Sequence, residues 1–471
     1  MAQVHGWVGR SLPDGRGSDW GVTASISALS NPSRDRGTPL GSGAVSSSVT
    51  YPDSVQFLYA LGNEIHTAKL GLERITQVLE ALDRPQDRLR FVHVAGTNGK
   101  GSACAMIASA LGAAGRRTGL FTSPHLAEPT ERIQIDGRPI TGARFAAAFE
   151  RVHATVERLL ADGLLDMHTT YFETVTAMAM VVFAEEAVEM VVLEVGLGGR
   201  LDATNIVTPD LCVITPIDFD HEAFLGRSLE AIAGEKAGIL KAGVTAVFSR
   251  QRKEAGAVLD LRAEQLCISV ARTEAWRIDD LELDARGSRF LLSGELDLRI
   301  VCPLAGEHQV ENAATAAVAL TRLGISESEI VAGIARTRWP GRLERVSQHP
   351  EIVVDGAHNP AGARALAAYI ARFYSGRRVR LIYGAMRDKA IDEIGGILFP
   401  HAQQVIVTAP RQARALAPES IRQVAEHRDL RTAANLGEAL GMLQNDAAAE
   451  DVIFITGSLF LVAEAREMLV V

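Results

Sequence analysis

A glycine-rich turn between an apolar segment and a helical segment constrains the fold of this chain more than any other feature. The apolar run Phe91–Ala95 (FVHVA) predicts a short buried strand, and the sequence GTNGKGS follows it directly at residues 96–102. Residues 102–114 then carry apolar side chains at helical spacing, and Gly115 supplies a stop signal. A strand, a tight turn and a helix in this order predict an α/β domain with an exposed loop at the end of a buried strand.

The loop GTNGKGS has the residue types needed to hold a phosphate. Its glycines let the backbone turn tightly, so that successive N–H groups point at phosphate oxygens, and the following helix adds its partial positive charge. Lys100 can reach the β- and γ-phosphates, and the Ser102 hydroxyl can ligate Mg²⁺. The spacing departs from the general P-loop, because fewer residues separate the glycines and Gly101 stands between Lys100 and Ser102. A glycine-rich turn alone is more often only a turn, but this combination predicts phosphate binding.

The rest of the chain continues the α/β pattern. Continuous apolar runs at residues 190–195 (MVVLEV) and 211–217 (LCVITPI) are typical of parallel strands covered on both faces. Residues 174–187 and 307–323 predict helices, whereas residues 246–303 are more strand-like. A second sheet is predicted from four short apolar runs with helices between them, at residues 352–354, 379–383, 404–407 and 452–455.

Shifts in composition divide the chain into three parts. Residues 1–50 are rich in Gly, Ser, Pro and Arg and lack a periodic apolar face, so we expect a disordered tail. Pro340 and Gly341 punctuate the chain between the two predicted sheets. We therefore expect a P-loop ATPase domain with a mostly parallel sheet at residues 51–340, and a smaller C-terminal Rossmann-like α/β domain at residues 341–471.

Charge and cysteine content argue against several classes of function. The 48 Lys and Arg residues and 57 Asp and Glu residues give a formal charge of −9, which disfavours an extended basic surface for nucleic acid. The apolar runs are far too short to span a membrane. The four cysteines lie far apart in sequence and predict reduced thiols in a cytoplasmic protein; they are Cys104, Cys212, Cys267 and Cys302.

Further polar residues follow the predicted strands. Glu194 ends the run MVVLEV, at the strand edge where open α/β sheets bind ligands, although such a carboxylate can also merely cap a loop. His221 follows LCVITPI in the segment DFDH and could ligate a cation, but a lone histidine is more often structural. Lys236 in EKAG is, on chemistry alone, a solvated helix lysine. The segment DGAHNP at residues 355–360 is a polar turn at the start of the second unit, and by itself it is a weak signal.

Taken together, these segments resemble the dihydrofolate synthase/folylpolyglutamate synthase family of Mur ligases. The resemblance runs in family order from about residue 61 to residue 360, and its motifs are HTAKLGLERI, HVAGTNGKGS, SPHL, TYFE, EVGLGGRLDATN, ITPIDFDH, EKAGILK, ENAATA, PGRLE and DGAHNP. It implies a larger N-terminal ATPase domain, a smaller C-terminal α/β domain and an active site between them. Residues 1–50 have no counterpart in this pattern.

The resemblance also implies roles for individual residues. The ATP phosphates are expected at Thr97, Asn98, Gly99, Lys100, Gly101 and Ser102, and the nucleotide is further contacted by Asn312, Arg342 and Asp355. The expected Mg²⁺ ligands are Ser102, Ser123, Glu194, His221 and Lys236, where Lys236 matches a lysine that family members carry as a carbamate. The pterin-bearing substrate is expected at Thr67, Ala68, Lys69, Leu70, Thr170, Tyr171, Phe172, Glu173, Leu201, Asp202 and Ala203. The expected catalytic residues are Lys100, Lys236 and His358.

The implied activity is that of an ATP-dependent acid–amino-acid ligase. It would add L-glutamate to dihydropteroate and to reduced folates through an acyl phosphate, using ATP, Mg²⁺ and, as an additional candidate, a monovalent cation such as K⁺. The expected partners are these small molecules, with no nucleic acid and no membrane, and the expected state is a monomer. One alternative is another Mur-type ligase that adds an amino acid to a cell-wall precursor, against which SPHL, TYFE and LDATN argue. The others are a P-loop ATPase that couples hydrolysis to a partner and a non-catalytic nucleotide-binding protein.

Overall fold

The computed structural model of the protein describes residues 49–61, 71–387, 390–444, 448 and 450–470. The tail expected at residues 1–50 lies outside the described residues apart from Val49 and Thr50, and Thr50 caps the first helix through a hydrogen bond from Asp53 N–H. The expected substrate-binding residues Thr67, Ala68, Lys69 and Leu70 also lie outside them.

The larger sheet is mostly parallel, as the sequence predicts. In the described part of the chain its strand order is β4-β3-β2-β5-β1-β6-β7-β8, and only β3 and β4 run antiparallel to their neighbours. The strands are β1 (Phe91–Ala95), β2 (Thr118–Phe121), β3 (Ile133–Ile135), β4 (Arg138–Pro139), β5 (Met190–Glu194), β6 (Leu211–Ile214), β7 (Thr245–Phe248) and β8 (Val270–Arg272). Strand β1 lies between β5 and β6, so the carboxyl ends of these three strands meet at one edge.

Helices cover both faces of this sheet, because its strand residues are apolar on both sides. Val192 packs with the helix that follows the glycine-rich turn, whereas Val191 and Leu193 pack with the apolar helix before β5. The helices of this part are α1 (Tyr51–Ala60), α2 (Glu73–Ala81), α3 (Lys100–Ala113), α4 (Gly142–Ala161), α5 (Tyr171–Glu185), α6 (Glu222–Leu225), α7 (Leu229–Ala237), α8 (Lys253–Leu266), α9 (His308–Arg322) and α10 (Glu327–Ala335). Short 3₁₀ turns lie at Pro85–Arg88, Pro129–Arg132, Ala203–Ile206 and Thr273–Ala275.

Two further sheets complete the described structure. Strands β9 (Arg277–Asp284), β10 (Gly287–Ser293) and β11 (Asp297–Cys302) form an antiparallel sheet, and alternate residues of β11 are buried. The third sheet has the order β12-β13-β17-β14-β15-β16 and is parallel except for the β12–β13 hairpin. Its strands are β12 (Glu344–Gln348), β13 (Glu351–Val354), β14 (Val379–Tyr383), β15 (Gln404–Val407), β16 (Leu430–Thr432) and β17 (Val452–Thr456). Its helices are α11 (Pro360–Phe373), α12 (Ile391–Leu398), α13 (Pro418–Val424), α14 (Leu436–Gln444) and α15 (Leu459–Leu469), with a 3₁₀ turn at Phe399–His401.

The fold class predicted from the sequence is confirmed, with two local corrections. Residues 246–303 are not strand-like throughout, because α8 occupies Lys253–Leu266 and buries Ala255, Leu259 and Ala263 at helical spacing. The strand expected at residues 211–217 ends at Ile214, just before the loop that contains Pro216. Among the described helices, none has both the length and the apolar character to cross a bilayer.

Candidate active site

The residues predicted to carry chemistry converge on one cavity of about 420 Å³. It lies at the carboxyl ends of β1, β5 and β6. Residues of the third sheet also line it, mainly those of the loop between β13 and α11. Open α/β sheets bind ligands at this edge, because the loops that leave neighbouring parallel strands diverge there. The site is therefore built from loops of two sheets, the larger sheet and the third sheet, which are distant in sequence.

The glycine-rich turn joins β1 to α3 and forms the floor of the cavity. Gly99 has a left-handed backbone (φ 84°), and a Cβ there would clash with the side chain of Asn312. A Cβ on Gly96 would likewise clash with Thr215, so both positions require glycine. The N–H groups of Thr97 and Asn98 donate to Pro216 O. The first-turn amides of α3, which starts at Lys100, lack acceptors within the helix and line the cavity, as an anion site requires.

Lys236 is buried beside this turn, which corrects the interpretation of a solvated helix lysine. Its Nζ donates to Gly96 O at 2.8 Å. It belongs to the buried face of α7, which is formed by Leu229, Ile232, Ala233, Lys236 and Ala237. Burial and, to a lesser extent, the charge of Lys100 lower the pKa of Lys236 to about 7, against the opposing effect of Asp220 and Asp202.

Glu194 ends β5 on the opposite side of the turn. Its Oε2 accepts a hydrogen bond from Ser123 N–H at 3.1 Å, and both residues line the cavity. Burial raises the pKa of Glu194, while Lys100, the Ser123 amide and Arg342 lower it. A cation bound at this carboxylate would offset the cost of burying it.

The loop after β6 contributes Asp220 and His221. His221 has a left-handed backbone (φ 52°), and its Nε2 lies 3.9 Å from Asp220 Oδ1. His358 approaches the same carboxylate from the third sheet, with Nε2 at 3.8 Å from Asp220 Oδ2, and its Nδ1 donates to Gly356 O. Asp220 is thus the group on which the two histidines converge.

Asn359 connects the two halves of the site directly. Its Nδ2 donates to Asn98 Oδ1 at 3.0 Å and to Asp220 Oδ2 at 3.1 Å. Its Oδ1 accepts from Gly362 N–H and caps α11. The single amide therefore holds the phosphate loop, the β6 loop and the first helix of the third sheet together. Asn359 and Asp220 stand in the motifs DGAHNP and DFDH, but residue type alone did not single them out as site residues.

The three further residues expected to contact the nucleotide all line the cavity; they are Asn312, Arg342 and Asp355. Asp355 Oδ2 accepts from Leu343 N–H and its Oδ1 from Ala357 N–H, so this carboxylate fixes the loop that carries Arg342. Asn312 donates to Gln309 Oε1, and Gln309 donates to the Ser102 hydroxyl at 3.2 Å. Gln309 is a residue that the sequence did not signal.

The expected pterin-site residues that the structure describes lie outside the cavity lining and form a neighbouring group. Thr170 and Glu173 form a capping box at the start of α5, and Glu173 also pairs with buried Arg74 at 3.1 Å. The ring of Tyr171 is stacked on Tyr59 at 5.9 Å.

Other expected pterin-site residues pack against or hydrogen-bond to the loop that follows β5. The ring of Phe172 lies against Gly196, and a Cβ there would clash with it. Asp202 accepts from Leu197 N–H and Thr204 N–H and begins the 3₁₀ turn that contains Ala203, while Leu201 directly precedes Asp202.

Comparison with known proteins gives consistent similarities over the whole site. Residues 94–320 match the Mur ligase middle domain, and residues 341–459 match the Mur ligase, glutamate ligase domain. The dihydrofolate synthase/folylpolyglutamate synthase of Mycobacterium tuberculosis is 36% identical over 436 residues, which cover 84% of this chain and 90% of the relative.

Two solved structures are similar in fold as well as in sequence. Mycobacterium tuberculosis folylpolyglutamate synthase complexed with ADP superposes with a TM-score of 0.84 at 34% identity, covering 89% of this chain and 98% of that chain. Escherichia coli FolC in complex with DHPP and ADP superposes with a TM-score of 0.79 at 31% identity, covering 88% of this chain and 97% of that chain.

Proposed function

The chain belongs to the dihydrofolate synthase/folylpolyglutamate synthase family of Mur ligases, and we propose that it uses ATP to join L-glutamate to folate-type carboxylates. The acceptors in this proposal are dihydropteroate and reduced folates. The two activities in the name of the Mycobacterium tuberculosis relative support both acceptors, and the Escherichia coli structure with DHPP and ADP supports the first of them.

The observation that carries the proposal is the bridge made by Asn359. Because its amide contacts Asn98 in the phosphate loop and Asp220 after β6, the loop between β13 and α11 is held against the phosphate loop. A ligase needs this arrangement, since the activated carboxylate must meet an amine before it meets water. A P-loop ATPase that only hydrolyses ATP has no such requirement.

The chemistry follows two displacement steps. An oxygen of the substrate carboxylate attacks the γ-phosphorus of ATP, the bond to ADP breaks, and an acyl phosphate forms. The glutamate nitrogen then attacks the acyl carbon, the bond to phosphate breaks, and the nitrogen loses a proton. Lys100 and the first-turn amides of α3 stabilise negative charge on the transferring phosphoryl group. Asn359 and Asp355 hold the loops that position the reactants.

The residues around the phosphate loop fit a divalent cation. Buried Glu194 and the hydroxyls of Ser102 and Ser123 are oxygen donors of the kind that Mg²⁺ prefers. When bound, Mg²⁺ neutralises phosphate charge. We propose that Lys236 is carbamylated, because its amine is buried and its lowered pKa leaves it able to add CO₂ with release of a proton. In this proposal His221 is a further ligand of the divalent cation, and His358 is a catalytic residue.

The setting of the enzyme is also part of the proposal. All four cysteines are free, which supports a reducing compartment, and we place the protein in the cytoplasm as a monomer without a nucleic-acid partner. The family matches end at residue 320 and resume at residue 341, which supports a domain boundary near residue 340.

A product assay tests the proposal. The protein is incubated with ATP, Mg²⁺, L-glutamate and either dihydropteroate or tetrahydrofolate, and the products are identified by mass spectrometry. We expect a glutamylated product from each acceptor. Product from tetrahydrofolate alone would reduce the function to folylpolyglutamate synthesis, and no product from either acceptor would refute the proposal.

A further inference from the structure

Three side chains with metal-binding chemistry meet outside the cavity, between α4 and the loop that leads to α5. His153 and Glu157 lie one turn apart on α4, and His168 comes from the loop two residues before the cap of α5. One ligand atom from each residue lies within 4.8 Å of the others. Glu157 Oε1 is 3.9 Å from His153 Nδ1 and 3.7 Å from His168 Nε2. None of the three residues lines the active-site cavity.

Each imidazole turns toward the cluster a ring nitrogen that has no hydrogen-bond partner in the described part of the chain, and the tautomer of His168 is fixed by its neighbour. His168 Nδ1 lies 2.9 Å from Thr169 O, and since a carbonyl can only accept, Nδ1 carries the proton and Nε2 keeps its lone pair. His168 Nε2 and His153 Nδ1 are buried atoms without a hydrogen-bond partner among the described residues. Metal-ligating histidines usually donate their second nitrogen to a carbonyl in this way.

Aromatic rings hold both imidazoles in place. Phe57 of α1 lies 4.5 Å from the ring of His153 and 5.5 Å from that of His168, and Phe149 stacks on His153 at 5.3 Å. The third residue, Glu157, has a side chain that is 55% exposed, so it can rotate toward an ion and leave a path for one to enter.

We propose that His153, Glu157 and His168 bind one divalent transition-metal ion, with Zn²⁺ as the best match and water completing the coordination. Two imidazole nitrogens and one carboxylate suit Zn²⁺, whereas Mg²⁺ and Ca²⁺ favour oxygen ligands. Bonds of about 2.1 Å to a tetrahedral ion place ligand atoms about 3.4 Å apart. Side-chain rotations that move the ligand atoms by roughly 1 Å would therefore bring the three residues to this separation. The ion would fasten the loop before Thr170 to α4, and it is a structural site independent of the proposed ligase chemistry.

The test uses the full-length protein stripped of metal with a chelator. Zn²⁺ is added in a calorimetric titration with Mg²⁺ and an ATP analogue present to occupy the active-site cavity. We expect one Zn²⁺ per chain for the wild type and a rise in Tm on binding. His168→Gln and Glu157→Gln should each weaken binding by about 10-fold to 100-fold or more. His349→Gln, which changes an exposed histidine remote in sequence, should bind like the wild type.

Three outcomes would overturn the proposal. The first is a wild type that takes up no Zn²⁺ below millimolar concentration. The second is unchanged affinity in both Glu157→Gln and His168→Gln. The third is an anomalous diffraction peak at the zinc edge that lies in the active-site cavity and not between α4 and the α5 loop. Glu157 keeps the test decisive if His168→Gln does not fold, because its exposed side chain contributes little to the core.

Discussion

Replacing Lys236 with methionine should stabilise the protein while it removes activity. Methionine keeps the length of the side chain but not the buried amine. A pKa lowered from 10.5 to about 7 corresponds to a cost of roughly 4 kcal/mol for the lysine near pH 7. Loss of the hydrogen bond to Gly96 O destabilises the variant by about 1 kcal/mol. The net expectation is a variant that is more stable by about 3 kcal/mol, with ligation reduced at least ~100-fold.

The stability difference should also depend on pH. The folded pKa lies below the unfolded value, so the unfolded state binds more protons between about pH 7 and pH 10.5. The cost to the wild type is therefore complete below pH 7 and disappears as the pH rises toward 10.5. The gain in Tm of Lys236→Met over the wild type should be largest at pH 6 and smaller at pH 9.

Thermal unfolding in CO₂-depleted buffer at pH 6, 7, 8 and 9 is the assay, because carbamylation would otherwise contribute to the wild-type signal. Lys253→Met is the matched control, since Lys253 is exposed on α8 and its variant should show no pH-dependent gain. A Lys236→Met variant that is less stable than the wild type, or equally stabilised at every pH, would contradict the reasoning. So would near-normal turnover.

Three further predictions concern the cavity. Lys100→Ala should abolish ligation without lowering Tm, measured beside Lys253→Ala, and near-normal turnover by the folded variant would remove Lys100 from the phosphate site. Glu194→Gln should lower activity more than nucleotide affinity and shift the Mg²⁺ dependence of turnover, and an unchanged Mg²⁺ titration would show that Glu194 is not a ligand. Asn359→Ala should lower kcat by about 10-fold to 100-fold, because it removes the hydrogen bonds to Asn98 and Asp220. Small-angle scattering with ATP analogue and folate should show a less compact particle for this variant than for the wild type. Identical scattering profiles would count against a role for Asn359 in holding the two loops together.

The sequence predicted the parts of the fold in which local pattern and tertiary packing agree. Strand β1 matches its apolar run, and the helix predicted from residue 102 begins at Lys100, inside the glycine-rich segment. Helix α8 was missed because its buried residues Ala255, Leu259 and Ala263 are few and lie between strand-forming segments. Short apolar periodicity of this kind does not separate a helix from strands by itself.

The site residues were harder to judge from pattern alone. Lys236 falls at the spacing of Leu229, Ile232 and Ala233 on α7, so its burial could have been inferred from the helical stripe. The contact of Asn359 with Asn98 joins residues 261 positions apart, and no local rule predicts it. The cluster of His153, Glu157 and His168 shows only an i, i+4 pair in sequence; its third member is brought in by the packing of the loop before α5.

Activation of the substrate as an acyl phosphate is tested most directly by following oxygen from the substrate carboxylate. Dihydropteroate labelled with ¹⁸O in its carboxylate is incubated with the protein, ATP, Mg²⁺ and L-glutamate, and the released phosphate and the pterin product are analysed by mass spectrometry. Activation through an acyl phosphate predicts one ¹⁸O in each phosphate released, with ADP, phosphate and glutamylated product formed in equal amounts. Unlabelled phosphate, or ATP hydrolysis without amide formation, would contradict it.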